Sequence, residues 1–175
     1  MFALIALSSG IMNRTLLILL LSLLGGCSAA ADQNRALPVP LDDADMNAAI
    51  AEARRTLPEF FAALDMPAGG ASGLALKVEL SDPNGTEYVW LNRITREEGK
   101  LFGTVNNEPN TIRSVKHGEK IEVDQKIIAD WLYMRNGKMH GNFTLRPLLS
   151  RIPKEQADNL KGKLPETAEA PATAQ

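Results

Sequence analysis

The chain has 175 residues, 45% hydrophobic, 23% charged and 5% aromatic, which excludes a disordered, collagen-like or multi-span membrane chain and fits one globular domain. A formal net charge of −2 leaves no polybasic surface of the kind that nucleic-acid binding requires, so no nucleic acid is expected as a partner. The single cysteine excludes an internal disulfide framework and any cysteine-rich metal site.

The apolar run at residues 15–24 is too short to cross a bilayer as a helix, which takes about 20 residues. Arg14 precedes it and small residues follow it, the arrangement of a signal peptide. Met12-Asn13-Arg14 opens such a signal by itself, and Met12 is the expected initiator. Leu24-Gly25-Gly26-Cys27-Ser28 resembles a bacterial lipobox, in which the cysteine thiol takes a diacylglyceryl group before cleavage in front of it. The resemblance implies a lipoprotein with a signal peptide at 1–26 and the membrane as partner through a lipid anchor at Cys27. Each buried methylene of such an anchor contributes about 0.8 kcal/mol of membrane affinity. Ser28 stands where lipoproteins retained in the inner membrane of enteric bacteria carry Asp, so the sorting rule predicts the outer membrane, facing the periplasm. Residues 27–41 lack apolar periodicity and read as a lipidated tether of at most about 45 Å.

A folded α+β domain is expected over 42–153. Asp42 is placed to cap a first helix, Asp45 lies in its first turn, and Leu41 and Met46 have the spacing of a hydrophobic staple. Apolar residues at Met46, Ile50, Ala53, Leu57, Phe61 and Leu64 line one face of that helix. Pro58 interrupts it, and Thr56-Leu57-Pro58-Glu59 has the form of a capping box, which predicts a kink or restart near Thr56.

Strand period then takes over. Leu74, Leu76, Val78 and Leu80 alternate with Ala75, Lys77 and Glu79, one buried and one wet face. After the turn Asp82-Pro83-Asn84-Gly85, residues 86–94 are aromatic and β-branched on both faces and should form a central strand. Further strands are expected at 100–106, 120–123 and 128–134. Asn136-Gly137 then signals a two-residue hairpin returning at 138–140. A short helix near 145–149 closes the domain, and residues 154–175, poor in large apolar side chains, read as a disordered tail. Five or six strands joined by short turns predict a curled, mainly antiparallel sheet with the kinked N-terminal helix packed on one face.

Motifs for chemistry are scarce. HExxH, Cys-x-x-Cys, Walker and Gly-x-Gly-x-x-Gly patterns are all missing, and no cofactor or metal is expected. Gly69-Gly70-Ala71-Ser72-Gly73 contains Gly-x-Ser, but Leu74 stands where a nucleophile elbow needs glycine, so a loop between helix and sheet is the better reading. His117 and His140 each precede a glycine at a turn or strand end, with no third ligand nearby. Charge is segregated: residues 42–65 carry a net −4 and residues 125–154 a net +5, either a docking surface for an acidic partner or a helix and hairpin that solvate opposite faces or pair with each other. Asp130-Trp131-Leu132-Tyr133, with an arginine nearby at Arg135 or Arg146, has the composition of an interface, although tryptophan is more often a core residue.

Ala53-Arg54, Thr56-Leu57, Phe60, Gly103, Asn106, Pro109, Asp130-Trp131, Asn136-Gly137-Lys138, Gly141, Phe143, Thr144 and Arg146 together resemble the YegJ-like family of bacterial proteins, a family of unknown function. The resemblance covers about residues 46–149. It implies a small α+β domain, often on exported or lipidated chains, and transfers no catalytic residue. The family pattern has a second glycine where this chain has Asn142, which predicts a slightly different backbone there. A family with a similar ending has been predicted to act as immunity proteins in toxin systems, an analogy that favours protein binding. The expected surface comprises Asp130, Trp131, Tyr133, Lys138 and Arg146. A structural role stays open for the same residues, Asp130 accepting from Arg146 and Trp131 filling the core. The expectation is a non-enzymatic, periplasm-facing protein-binding module. The alternative is an envelope enzyme or cell-wall ligand binder with a cleft near Asp130 and Arg146.

Overall fold

The computed structural model describes residues 43–165. The signal peptide at 1–26, Cys27, the tether at 27–41, the capping residues Leu41 and Asp42, and the tail beyond Pro165 lie outside the described residues.

The chain enters through helix α1 (Ala44–Asp65). Its cap is Asp43, not Asp42: the Asp43 carboxylate accepts from the N–H of Met46 at 2.9 Å, satisfying one of the amides that a helix start leaves unpaired. Of the kink or restart expected near Thr56, the restart does not occur: α1 is one helix that runs through Pro58. Thr56 is no cap; its hydroxyl donates back to the carbonyl of Glu52 at 2.8 Å. Met46, Ile50, Ala53, Leu57, Phe60 and Ala63 form the buried stripe.

Six strands follow: β1 (Ser72–Asp82), β2 (Gly85–Glu97), β3 (Lys100–Val105), β4 (Lys120–Glu122), β5 (Ile128–Arg135) and β6 (Lys138–Gly141). They form one antiparallel sheet in the order β4-β3-β2-β1-β5-β6, with β1 and β2 at the centre. The sheet is not strongly curled, and its edge strands β4 and β6 are not neighbours in it. The tight turns are where the sequence puts them. Asn136 and Gly137 have φ of 52° and 73°, the positive pair that a two-residue hairpin needs to match strand twist.

Paired residues share a face, and the pairing defines two. Leu76 opposes both Leu91 and Trp131, and Val78 opposes Val89, all fully or almost fully buried. This face lies under α1: the Trp131 indole N–H donates to the carbonyl of Ala53 at 2.9 Å and its ring lies 6.1 Å from that of Phe60. The other face carries Lys77 opposite Trp90 and Asp130, and Ala75 opposite Leu132.

After β6 the chain turns into a 3-10 segment, Phe143–Ser150, where the sequence predicts a helix at 145–149. Helix α2 (Lys154–Lys163) comes next, in a region expected to belong to a disordered tail. Ala157 and Leu164 are buried, which gives this helix the anchorage that its polar composition conceals.

Candidate functional site

The site grows from the way β1 and β2 separate. Their ladder ends at Leu76 opposite Leu91. Beyond that rung β1 continues beside β5, with Ala75 opposite Leu132, while β2 continues beside β3, with Asn92 opposite Thr104. Both strands carry a register shift here, between Ser72 and Ala75 and between Asn92 and Thr95. Arg93, at φ 49°, marks the second. A fork opens between the strands. A groove of about 800 Å³ occupies it, lined among others by Lys77, Trp90, Asn92 and Arg93 of the sheet and by Leu145 and Leu148 of the 3-10 segment.

Lys77 is the charged residue at the heart of this groove. Half-buried, its ammonium donates to the hydroxyl of Thr144 at 3.1 Å and sits 5.8 and 5.7 Å from the ring centres of Tyr88 and Trp90. Burial pushes it below the ordinary lysine range, against the opposing pull of the Asp130 charge. Thr144 in turn donates its proton to Asp130 at 2.7 Å, so Lys77, Thr144 and Asp130 form a chain that joins β1, the 3-10 segment and β5.

Asp130 is entirely buried and its two oxygens are filled. Oδ1 accepts the N–H groups of Trp131 (2.8 Å) and Phe143 (3.1 Å); Oδ2 accepts the N–H (2.8 Å) and hydroxyl of Thr144. Burial nevertheless pushes its carboxyl above the ordinary aspartate range, because desolvation outweighs the hydrogen bonds. The expected partner Arg146 does not reach it. Its guanidinium donates to the carbonyl of Gly141 at 3.0 Å and lies 4.5 Å from the Phe143 ring centre. The peptide N–H groups of residues 131, 143 and 144, together with the Thr144 hydroxyl, fill both oxygens and leave no vacancy for the Arg146 guanidinium.

That turn depends on Gly141 and Asn142. A Cβ on Gly141, at φ 74°, would lie 2.2 Å from the carbonyl oxygen of Trp131 and 2.5 Å from its ring. Asn142 has φ 49° and ψ 48°, the left-handed region that asparagine enters more readily than most residues, and its N–H donates to the Trp131 carbonyl at 2.7 Å. Asn142 thus adopts a backbone conformation natural to glycine.

The five residues expected to share a surface do not. Asp130, Trp131 and Tyr133 are buried, at 0%, 1% and 4% exposure, so they cannot present a docking face. Trp131 belongs to a stack in which Tyr133 lies 5.7 Å from it and His140 4.9 Å beyond. Lys138 donates to the carbonyl of Gly162, tying β6 to α2. The charge poles meet where Arg151 pairs with Asp43 at 2.5 Å. His117 is exposed at its turn, and among the described residues no group of three metal-ligating side chains occurs.

Sequence reasoning missed Lys77 because it reads as the solvent half of an alternating strand. The available signal was its surroundings: a lysine sharing the nominally wet face with Trp90 and Tyr88, rings that water would not normally be left to cover.

A family model described as "Uncharacterized protein conserved in bacteria (DUF2314)" matches residues 43–164. The chain belongs to the DUF2314 family. This DUF2314 protein is 33% identical over 123 residues to the uncharacterized protein YegJ of Escherichia coli (strain K12), covering 70% of this chain and 79% of that one. It is also 30% identical over 70 residues to a Neisseria meningitidis serogroup B protein named as an ankyrin repeat protein, covering 40% of this chain and 28% of that protein. No solved structure matches. The DUF2314 match reaches 164, past the boundary expected at 153, and thereby includes α2.

Proposed function

We propose that this DUF2314 protein is a bacterial envelope lipoprotein, anchored in the outer membrane through Cys27, whose domain faces the periplasm and holds a protein partner in the groove between β1, β2 and the Phe143–Ser150 segment. The anchor rests on the lipobox-like Leu24-Gly25-Gly26-Cys27 after a short apolar run. Support for binding comes above all from the groove: about 800 Å³, built where the central strands part, with one lysine on its floor and leucines on its wall.

The enzyme alternative loses its named group. An acid or base must offer a free oxygen to substrate, and both oxygens of Asp130 are taken by donors from its own fold.

Site-specific photo-crosslinking in living cells tests the proposal. A crosslinker at Leu148 is expected to trap a discrete envelope protein that one at Arg55, on the exposed side of α1, does not, and Cys27→Ala is expected to release the protein from the membrane fraction. Equal trapping from both positions would overturn the groove as the site. An unchanged membrane fraction for Cys27→Ala would overturn the anchor.

A further inference from the structure

Resting on the reading that this groove is the partner site, we infer that it recognises the C-terminal end of an extended peptide chain, with the terminal carboxylate set against Lys77. Four features of the groove converge on that chemistry.

The Lys77 ammonium has three protons to place, and among the described residues its one hydrogen-bond acceptor is the Thr144 hydroxyl. The two rings beside it, at 5.7 and 5.8 Å, offer diffuse attraction to a cation but no lone pair. Arg93 lines the same groove, no Asp or Glu does, and among the described residues neither Lys77 nor Arg93 takes part in an ion pair. Lys77 and Arg93 therefore give the groove cationic donors with no carboxylate among the residues that line it.

Asn92 adds the opposite need. Its Nδ2 donates to Asn106 Oδ1 at 2.6 Å, while its own Oδ1 is buried with no partner. Such an oxygen wants an N–H, since leaving it unpaired costs about 1–3 kcal/mol. A carboxylate with an amide N–H close behind it is what the last residue of a peptide offers. A phosphate diester would bring acceptors alone and leave Asn92 Oδ1 without an N–H.

The shape agrees. At the fork the β1–β2 ladder ends while both strands run on, each with an edge that the other does not pair, a setting in which an extended chain gains main-chain hydrogen bonds by lying along strand backbone. Trp90, Leu145 and Leu148 offer an apolar seat for the last side chain.

Equilibrium dialysis of the full-length lipidated protein in detergent provides the test, with pooled N-acetyl tetrapeptides as probes, each made as free acid and as C-terminal amide. Retained peptides are quantified by mass spectrometry. The expected result is at least tenfold enrichment of acids over amides, lost in Lys77→Met and kept in Arg55→Met. Equal retention of acids and amides, or retention of neither, overturns the inference; because that comparison uses the wild-type chain, it does not depend on a variant folding. A third arm uses the same peptides ending in D-alanine. Stronger retention of that arm than of the L-ended acids would assign the site to cell-wall stem peptides and overturn a protein chain end as the source. Failure of the acid pool while the Leu148 crosslink still traps its partner would overturn the carboxylate inference alone; failure of both would remove the groove as the partner site.

Discussion

Thr144 gives Asp130 both of its donors: its backbone N–H and its hydroxyl reach the same oxygen, Oδ2, at 2.8 and 2.7 Å. The contact clamps the segment after β6 onto β5, and the same hydroxyl accepts from Lys77 on β1. A buried carboxylate thus fixes the wall of the groove.

Replacing this carboxylate is expected to be costly. In Asp130→Asn, whichever oxygen becomes an amide group meets a backbone N–H it cannot accept, and the loss should be about 3 kcal/mol in urea unfolding. The pH dependence has a defined sign. Because the folded carboxyl binds its proton more tightly than an unfolded aspartate near 3.8, wild-type stability from this group declines as pH rises from 3.8 through the folded value. Asp130→Asn should lack that decline, and a variant with an unchanged pH profile would show that another group causes it.

Gly141→Ala tests the turn that delivers those donors. Its methyl would have to displace the Trp131 carbonyl at 2.2 Å in a backbone region unfavourable to alanine, a combination expected to cost about 3 kcal/mol or more. Thermal unfolding within about 2 °C of wild type would contradict the geometry at this corner.

Most of the fold was legible because its signals are local. Each of the six strands follows a two-residue alternation or a turn dipeptide, and Asn136-Gly137 specifies its hairpin without help from the rest of the chain. Failures came where distant residues decide. Lys154–Lys163 has little apolar character and is a helix because Ala157 and Leu164 find cover that the sequence does not announce. Pro58 looks like a break, yet α1 continues through it, its stripe packed against β5. Asp130 and Arg146 suggest a pair by charge, whereas peptide N–H groups at Phe143 and Thr144, which carry no signature in the sequence, take the carboxylate instead. The groove was hidden for the same reason: it exists where β1 leaves β2, and a register shift is a property of paired strands.

The loop between β3 and β4 should respond to acid. Glu87 accepts the N–H groups of Asn110, Thr111 and Ile112, and Asp82 those of Arg113 and Ser114, so five consecutive amides hang from two carboxylates. Partial burial raises Glu87, but the amides together outweigh it and hold it below its ordinary 4.5; for Asp82 the Arg113 amide is the largest cause of a value below 3.8. Lowered folded values mean that the clamp is fully present above about pH 4.5 and is lost as pH falls through them. Amide exchange at 110–114 should accelerate over that window before the core strands open. Glu87→Gln should accelerate exchange at 110–112 already at neutral pH, and exchange that stays uniform across the loop and β1 would contradict the clamp.

The most direct test of the proposed groove compares amide exchange of the protein in intact cell-envelope preparations, where the proposal places it, with that of the same protein purified in detergent. Bound partner should slow exchange at Ala75, Lys77, Asn92 and Arg93 and at Leu145, Arg146 and Leu148, leaving the exposed turns of α1 around Arg55 unchanged. Slower exchange confined to α1, with the fork between β1 and β2 unaffected, would contradict it.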